Sequence, residues 1–223
     1  MSEYMKEIKN PAIPSREEFY QALAKRHGTK LQEKFSKTSV AVCGLGGLGS
    51  QIAILLARAG IGKLSLLDFD RVDLSNLNRQ QYFVDQIGMY KTDALTRNIH
   101  RIAPYCEISA NTVKITEENI PELFGQESVI CEAFDNPETK AMFVNAVLMQ
   151  FPEKYLVCAS GMAGIGSANL IRTKKITSHF YLCGDQVSEL VDGEGLFASR
   201  VAVCAAHQAH MILRILAGLQ DVS

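Results

Sequence analysis

No CxxC pair occurs anywhere in this chain, which removes the usual tetrathiolate signature of a structural zinc. Its six cysteines stand singly, several inside apolar runs such as SVAVCG, SVICEAF and YLVCAS, where buried, reduced thiols acting as small hydrophobes are expected. There is no lysine- or arginine-rich block, and the formal net charge is -1. A broad electrostatic footprint for DNA or RNA is thereby excluded, and no nucleic-acid partner is expected. No apolar run approaches the ~20 residues that cross a bilayer, so no membrane partner is expected either. The first residues, MSEYMKEIKN, lack the apolar core of a secretory signal, which makes the cytoplasm the default address. Repeats, low-complexity tracts and linkers are absent as well, so residues 1–223 are expected to form one domain with a helical arm over residues 1–37.

What is present has the balance of a soluble globular protein, 47% apolar and 21% charged. SREEFYQALAKRHG predicts a helix stopped by Gly28. SVAVCG, GGLGSQIAILLARAG and KLSLLDFD predict a strand, a helix and a second strand, one βαβ unit of about 30 residues. KTDALTRNIHRIAP reads as a helix ended by Pro104, followed by the strands EISANTVKI and SVICEAFDN. NPETKAMFVNAVLMQF opens with Asn136 as N-cap and Pro137 at the first helical position, and the strand KYLVCASG follows. SANLIRTK and SHFYLC alternate like an antiparallel pair, and SRVAVCAAHQAHMILRILAG is a final helix. This order predicts an α/β fold, a doubly wound, mostly parallel Rossmann-like sheet with an antiparallel extension and N-terminal helices.

The loop GLGGLG, between the first strand and its helix, is suited to a nucleotide. Gly44 permits a tight turn, Gly46 and Gly47 admit a phosphate, and Gly49 allows close helix–sheet packing. The helix start adds N–H groups and a favourable dipole for an anion. Asp68 ends the second strand about 20 residues on, where a carboxylate accepts from ribose hydroxyls. To this point NAD and ATP fit equally. The next stretch, DFDRVDLSNLNRQQYF, separates them with its three aspartates and two arginines. Asp70 is a further candidate, whereas Asp73 reads as a solvated loop acid. Asn76, Arg79 and Gln80 fall just past a strand's carboxyl end, and Arg79 has the planar fork suited to phosphate. Lys91 adds a point charge, and Asp135, closing the run ICEAFD, is a carboxylate able to hold Mg²⁺. Two cations with a metal-holding acid suit a triphosphate. An NAD-dependent oxidoreductase remains the rival reading.

GLGGLGS, LLDFDRVDLSNLNRQ, GMYKTDAL and AFDN, in this order, resemble the ThiF/MoeB/HesA family, the bacterial relatives of ubiquitin-activating enzymes. The resemblance runs from about Ser39 to Gly218. It implies ATP- and Mg²⁺-dependent adenylylation of the C-terminal glycine of a small β-grasp sulfur-carrier protein ending in Gly-Gly. By motif it places Gly47 on the phosphates, Asp68 on the ribose, and Asn76, Arg79 and Lys91 on the triphosphate. Asp135 would then hold Mg²⁺ with Asn136 beside it. The zinc-less pattern and the GDQ…GEGLFASRVAV ending look most like the ThiF-type branch that serves thiamine thiazole synthesis. A MoaD-like carrier for molybdopterin is the alternative within the family. The resemblance further implies a homodimer in which Arg16 or Arg26 reaches the partner's nucleotide, and it makes Cys183 the nearest candidate for sulfur transfer.

Overall fold

The computed structural model describes residues 12–188 and 195–222. The short β-branched runs become β1 (Ser39–Cys43), β2 (Lys63–Asp68), β3 (Glu107–Thr112), β4 (Val129–Glu132), β5 (Tyr155–Ala159), β6 (Arg172–Lys175) and β7 (Phe180–Gly184). They form one sheet in the order β3-β2-β1-β4-β5-β7-β6, every neighbouring pair parallel except β6 with β7. The predicted doubly wound sheet with its antiparallel extension is therefore the fold. The extension differs in one respect. The SANLIRTK run is a 3-10 turn over Ala168–Leu170 before a strand of four residues, because Ser167 caps that turn by accepting from the Asn169 N–H.

Pleat alternation sorts the core into two layers. Val40 and Val42 of β1 face α3 (Gly49–Arg58), α4 (Lys91–His100) and α7 (Ala198–Ala217), together with Ile52, Leu56, Leu95 and Ile212. Ala41 and Cys43 face α5 (Ile120–Leu123) and α6 (Pro137–Gln150), with Phe124, Phe143 and Val147. Leu56 and Phe143 are fully buried, each burial stabilising the fold by about 1.5–3 kcal/mol. The helical arm is α1 (Arg16–His27) and α2 (Thr29–Ser36). Ser15 and Glu18 make a reciprocal capping box at the start of α1, and Gly28, at φ 94°, ends it and lets α2 begin at once. The α2 and α5 helices carry no sequence signal as clear as the others, since both are short.

The second glycine run, GMAGIG, makes a turn, as its lack of a following helix indicates. Gly161 takes φ 80°, and a Cβ there would lie 2.0 Å from the Asp185 carboxylate. Asp185 and Arg200, only 7% and 5% exposed, form an ion pair at 2.5 Å. Arg200 also donates to the Ala163 carbonyl, so it ties this turn to α7. Burial by itself would push the Asp185 carboxyl up. The N–H groups of Ser188 and Val187, with Arg200, outweigh burial and hold it well below the usual carboxylate range. The sign follows: with a folded value below the unfolded one, the stabilisation is complete above about pH 4 and lost as pH falls through the folded value. Asp185→Asn is expected to cost about 2 kcal/mol at neutral pH, in urea melts, and to flatten the acid side of the stability curve.

Candidate functional site

The chain reverses its winding between β1 and β4, with β2 and β3 on one side and β5, β7 and β6 on the other. Ligands of open α/β sheets bind in the crevice at the carboxyl ends of such a switch point. A cavity of about 320 Å³ lies at this crevice, bounded by the loop after β1, the end of β2 and the turn after β4. Gly44, Gly46 and Gly47 line it from the first of these, Asp68, Asp70, Arg79, Gln80 and Lys91 from the second, and Asp135 and Asn136 from the third. Residues separated by ninety positions in sequence thus share one wall-to-wall space.

Each glycine of the loop has its own reason. Gly44 takes φ 85°, and a Cβ there would lie 2.8 Å from the Ala133 carbonyl oxygen. Gly47 lets the stem of Arg79 and the side chain of Val201 close over the loop, at 3.3 and 3.2 Å from where a Cβ would stand. A Cβ on Gly46 would meet only the Gln80 amide at 3.8 Å, so the space above it is open. Among the described residues none accepts from the N–H groups of Gly46 and Gly47. Those two donors and the start of α3, which lacks a side-chain cap, form a concavity suited to an anion. Gly49 lies outside the cavity lining. Its task is packing, since a Cβ there would stand 1.8 Å from the Gly44 carbonyl oxygen.

Asp68 is 8% exposed, and its carboxylate accepts from the Leu45 N–H at 2.6 Å and the Asp70 N–H at 2.7 Å. Burial pushes its carboxyl above the ordinary value against the pull of Lys91 and those two N–H groups. Donors from a ligand's hydroxyls would favour the charged form further. Lys91 is the first residue of α4, where the helix dipole disfavours a cation. Asp70 compensates, accepting from the Lys91 ammonium at 2.7 Å. The Lys91 side chain is 7% exposed, so this is a nearly desolvated cation facing the cavity. Gln80 is buried, and its Oε1 has no hydrogen-bond partner among the described residues, leaving an acceptor at the cavity wall.

Much of the charge in DFDRVDLSNLNRQQYF serves the loop itself. Arg71 donates to the Gly88 carbonyl at 2.7 Å and lies 3.8 Å from the centre of the Tyr90 ring. Asp73 and Asn76 cap a 3-10 turn over Leu74–Asn78. Asn76 stands off the cavity lining, and its Oδ1 accepts from the Asp73 N–H at 3.1 Å. The Arg79 guanidinium donates to Asn78 Oδ1 at 2.7 Å while remaining part of the lining. Tyr82, which sequence reasoning passed over, fixes this segment to the glycine loop by donating to the Leu45 carbonyl at 2.7 Å. Tyr82→Phe is expected to cost about 1–2 kcal/mol, since it leaves a buried carbonyl unpaired, and thermal melts would detect it.

Asp135 is exposed at the cavity, and its carboxylate accepts from no described residue. Asn136 turns its Oδ1 to the Thr139 N–H at 2.8 Å as the N-cap of α6. No group of three or more His, Cys, Asp or Glu able to hold a metal occurs among the described residues. One free carboxylate nevertheless fits Mg²⁺ that arrives on a nucleotide, since that ion keeps waters and phosphate oxygens as its other ligands. Lys114 also lines the cavity without any motif to announce it, as do Phe134 and Val201, which lie inside quoted motifs but were not singled out as site residues. Arg16 and Arg26 both belong to α1, and neither lines this cavity in its own chain; Arg16 lies 5.5 Å from the Tyr105 ring centre. Cys183 is fully buried in β7 and lies off the cavity lining, and burial pushes its thiol up to about 12, which favours the neutral thiol.

The sequence pattern of the ThiF family matches residues 20–223. The adenylyltransferase and sulfurtransferase MOCS3 of Culex quinquefasciatus is 28% identical over 203 residues, 87% of this chain and 45% of that protein. The molybdopterin-synthase adenylyltransferase of Haemophilus influenzae is 36% identical over 110 residues, 49% of this chain and 45% of that protein. The chain thus spans about half the length of these curated relatives. Among solved structures, the E. coli tRNA N6-threonylcarbamoyladenosine dehydratase TcdA in complex with ATP aligns with a TM-score of 0.81 at 21% identity, covering 92% of this chain and 97% of that one. At that identity the likeness concerns the fold.

Proposed function

We propose, from the premise that this chain belongs to the ThiF family, that it is an ATP-dependent adenylyltransferase which activates the C-terminal glycine of a small β-grasp sulfur carrier. One observation carries the reading: Arg79, Lys91 and Asp135 converge on the cavity that the glycine loop and Asp68 also line. The proposed roles follow from position. Asp68 and Gln80 orient the ribose, and the N–H groups of Gly46 and Gly47 meet the phosphates. Arg79 and Lys91 counter triphosphate charge, and Asp135 with Asn136 beside it holds the magnesium of the substrate ATP·Mg, which adds further neutralisation when bound. The carrier's terminal carboxylate attacks the α-phosphorus in line, and pyrophosphate leaves. No covalent bond to the protein is needed, so catalysis comes from positioning and from a preorganised positive field.

A carrier ending in Gly-Gly, of the ThiS type used for thiazole synthesis, is the substrate within this reading, with a MoaD-like carrier as its alternative. The names of the MOCS3 and molybdopterin-synthase relatives support activation of a carrier of either kind. The proposal includes residues 1–223 acting as one adenylation domain, and a homodimer whose α1 arginines, Arg16 or Arg26, approach the partner's nucleotide. A second reading, activation of a carboxylate on tRNA, draws on the fold and size likeness to TcdA, whereas the net charge of -1 and the absence of a basic stripe disfavour it. ATP–pyrophosphate exchange, assayed with ThiS-like carriers, with MoaD-like carriers and with tRNA, separates these. Exchange is expected only with a Gly-Gly carrier. Tight NAD binding without ATP binding would overturn the reading in favour of an oxidoreductase.

A further inference from the structure

We propose that the buried ion pair Glu132–Lys140 is a clamp that positions the Asp135 corner for the metal–nucleotide complex; the proposal rests on the reading of Asp135 given above. Glu132 is the last residue of β4 and is fully buried. Lys140 lies one turn into α6, its side chain 25% exposed. Its ammonium donates to both Glu132 oxygens, at 2.5 and 2.6 Å, and Oε1 also accepts from the Phe134 N–H at 2.7 Å. One carboxylate therefore joins the end of the strand, the turn and the start of the helix across the corner that carries Asp135.

The rest of the corner is equally fixed. The Ala133 N–H donates to the Cys43 carbonyl at 2.8 Å, Gln208 donates to the Glu132 carbonyl at 2.9 Å, and Asn136 caps α6. Among the described residues the Asp135 and Glu138 carboxylates of this corner accept from no donor, and of the two Asp135 lines the cavity. Stability alone gives weak grounds for such a pair, because replacing buried ions with apolar groups is often neutral or favourable. Lys140 does not line the cavity, although its neighbour Thr139 does, so it acts through the corner and not on the ligand. The arrangement is that of a residue orienting a metal ligand from behind.

The test uses the double variant E132Q/K140M, which removes the link without leaving a buried charge, and Lys140→Arg as the conservative variant. ATP affinity is measured by calorimetry in EDTA and again in magnesium. The double variant is expected to stay within about twofold of wild type in EDTA, and to lose about tenfold of the gain that magnesium brings, whereas K140R, which keeps the ion pair, retains that gain. A double variant that keeps the full magnesium-dependent gain overturns the clamp and leaves the adenylyltransferase reading standing. A wild-type protein that binds ATP with no gain from magnesium overturns the metal role of Asp135, and the clamp with it. Loss of affinity in EDTA and magnesium alike would mark Glu132–Lys140 as a general structural pair and also overturn the clamp.

Discussion

Asp135→Ala is expected to abolish ATP–pyrophosphate exchange, by about 10³-fold or more, while leaving the circular dichroism spectrum and thermal midpoint of the protein unchanged. The carboxylate is exposed, follows the end of β4, and accepts no hydrogen bond from a described residue, so its removal takes nothing from the core. Asp135→Asn keeps the shape but not the charge, and is expected to be nearly as inactive, because Mg²⁺ selects a hard anionic oxygen. Wild-type exchange in either variant would remove Asp135 from the metal and require another residue in that role.

Lys91→Met should slow exchange by about 10²–10³-fold, close to 3 kcal/mol at the transition state, the scale seen when one preorganised electrostatic contact is removed. Methionine preserves the buried stem, and Asp70, half exposed, can turn to water once its partner is gone, so folding should be little affected. The comparison variant is Asp70→Asn, which leaves the ammonium in place but removes its anchor. If Lys91 acts directly on phosphate charge, K91M falls far below D70N in kcat. Equal losses in the two would instead mean that the Lys91–Asp70 pair only holds the loop after β2 in place. Stopped-flow measurement of the adenylation step, with thermal melts as the folding control, decides between them.

The fold was largely legible because its signals are local. β-branched runs ending in glycine or aspartate gave the parallel strands, and the GLGGLG spacing gave the first strand–helix turn. Asn136 and Pro137 announced α6, which begins where they indicate. The short elements were less legible. A helix of four residues such as α5 has too few positions to show a period, and β6 loses half its expected length to a capped 3-10 turn. Motif position singled out Asp68, Arg79, Lys91 and Asp135, and all four line the cavity. It could not separate cavity-lining groups from groups that hold a loop together. Arg71, Asp73 and Asn76 carry the same charges and amides as their neighbours, and they are committed to the loop's own turns.

By itself the sequence determined which chemistry is available: a glycine-rich loop, a strand-end acid, two cations and one hard carboxylate, in a parallel α/β order that brings strand ends to a common edge. Tertiary structure alone decided which of those groups meet. The Gly44–Ala133 approach, the Tyr82–Leu45 bond, the Lys91–Asp70 pair and the Glu132–Lys140 link all join residues whose separation in sequence says nothing about contact. The physical reason is that local patterns record backbone preference and burial, while a donor's partner is set by how strands cross over and pack. Chain order could supply the charges of this site, and only the packed sheet could face them toward one another.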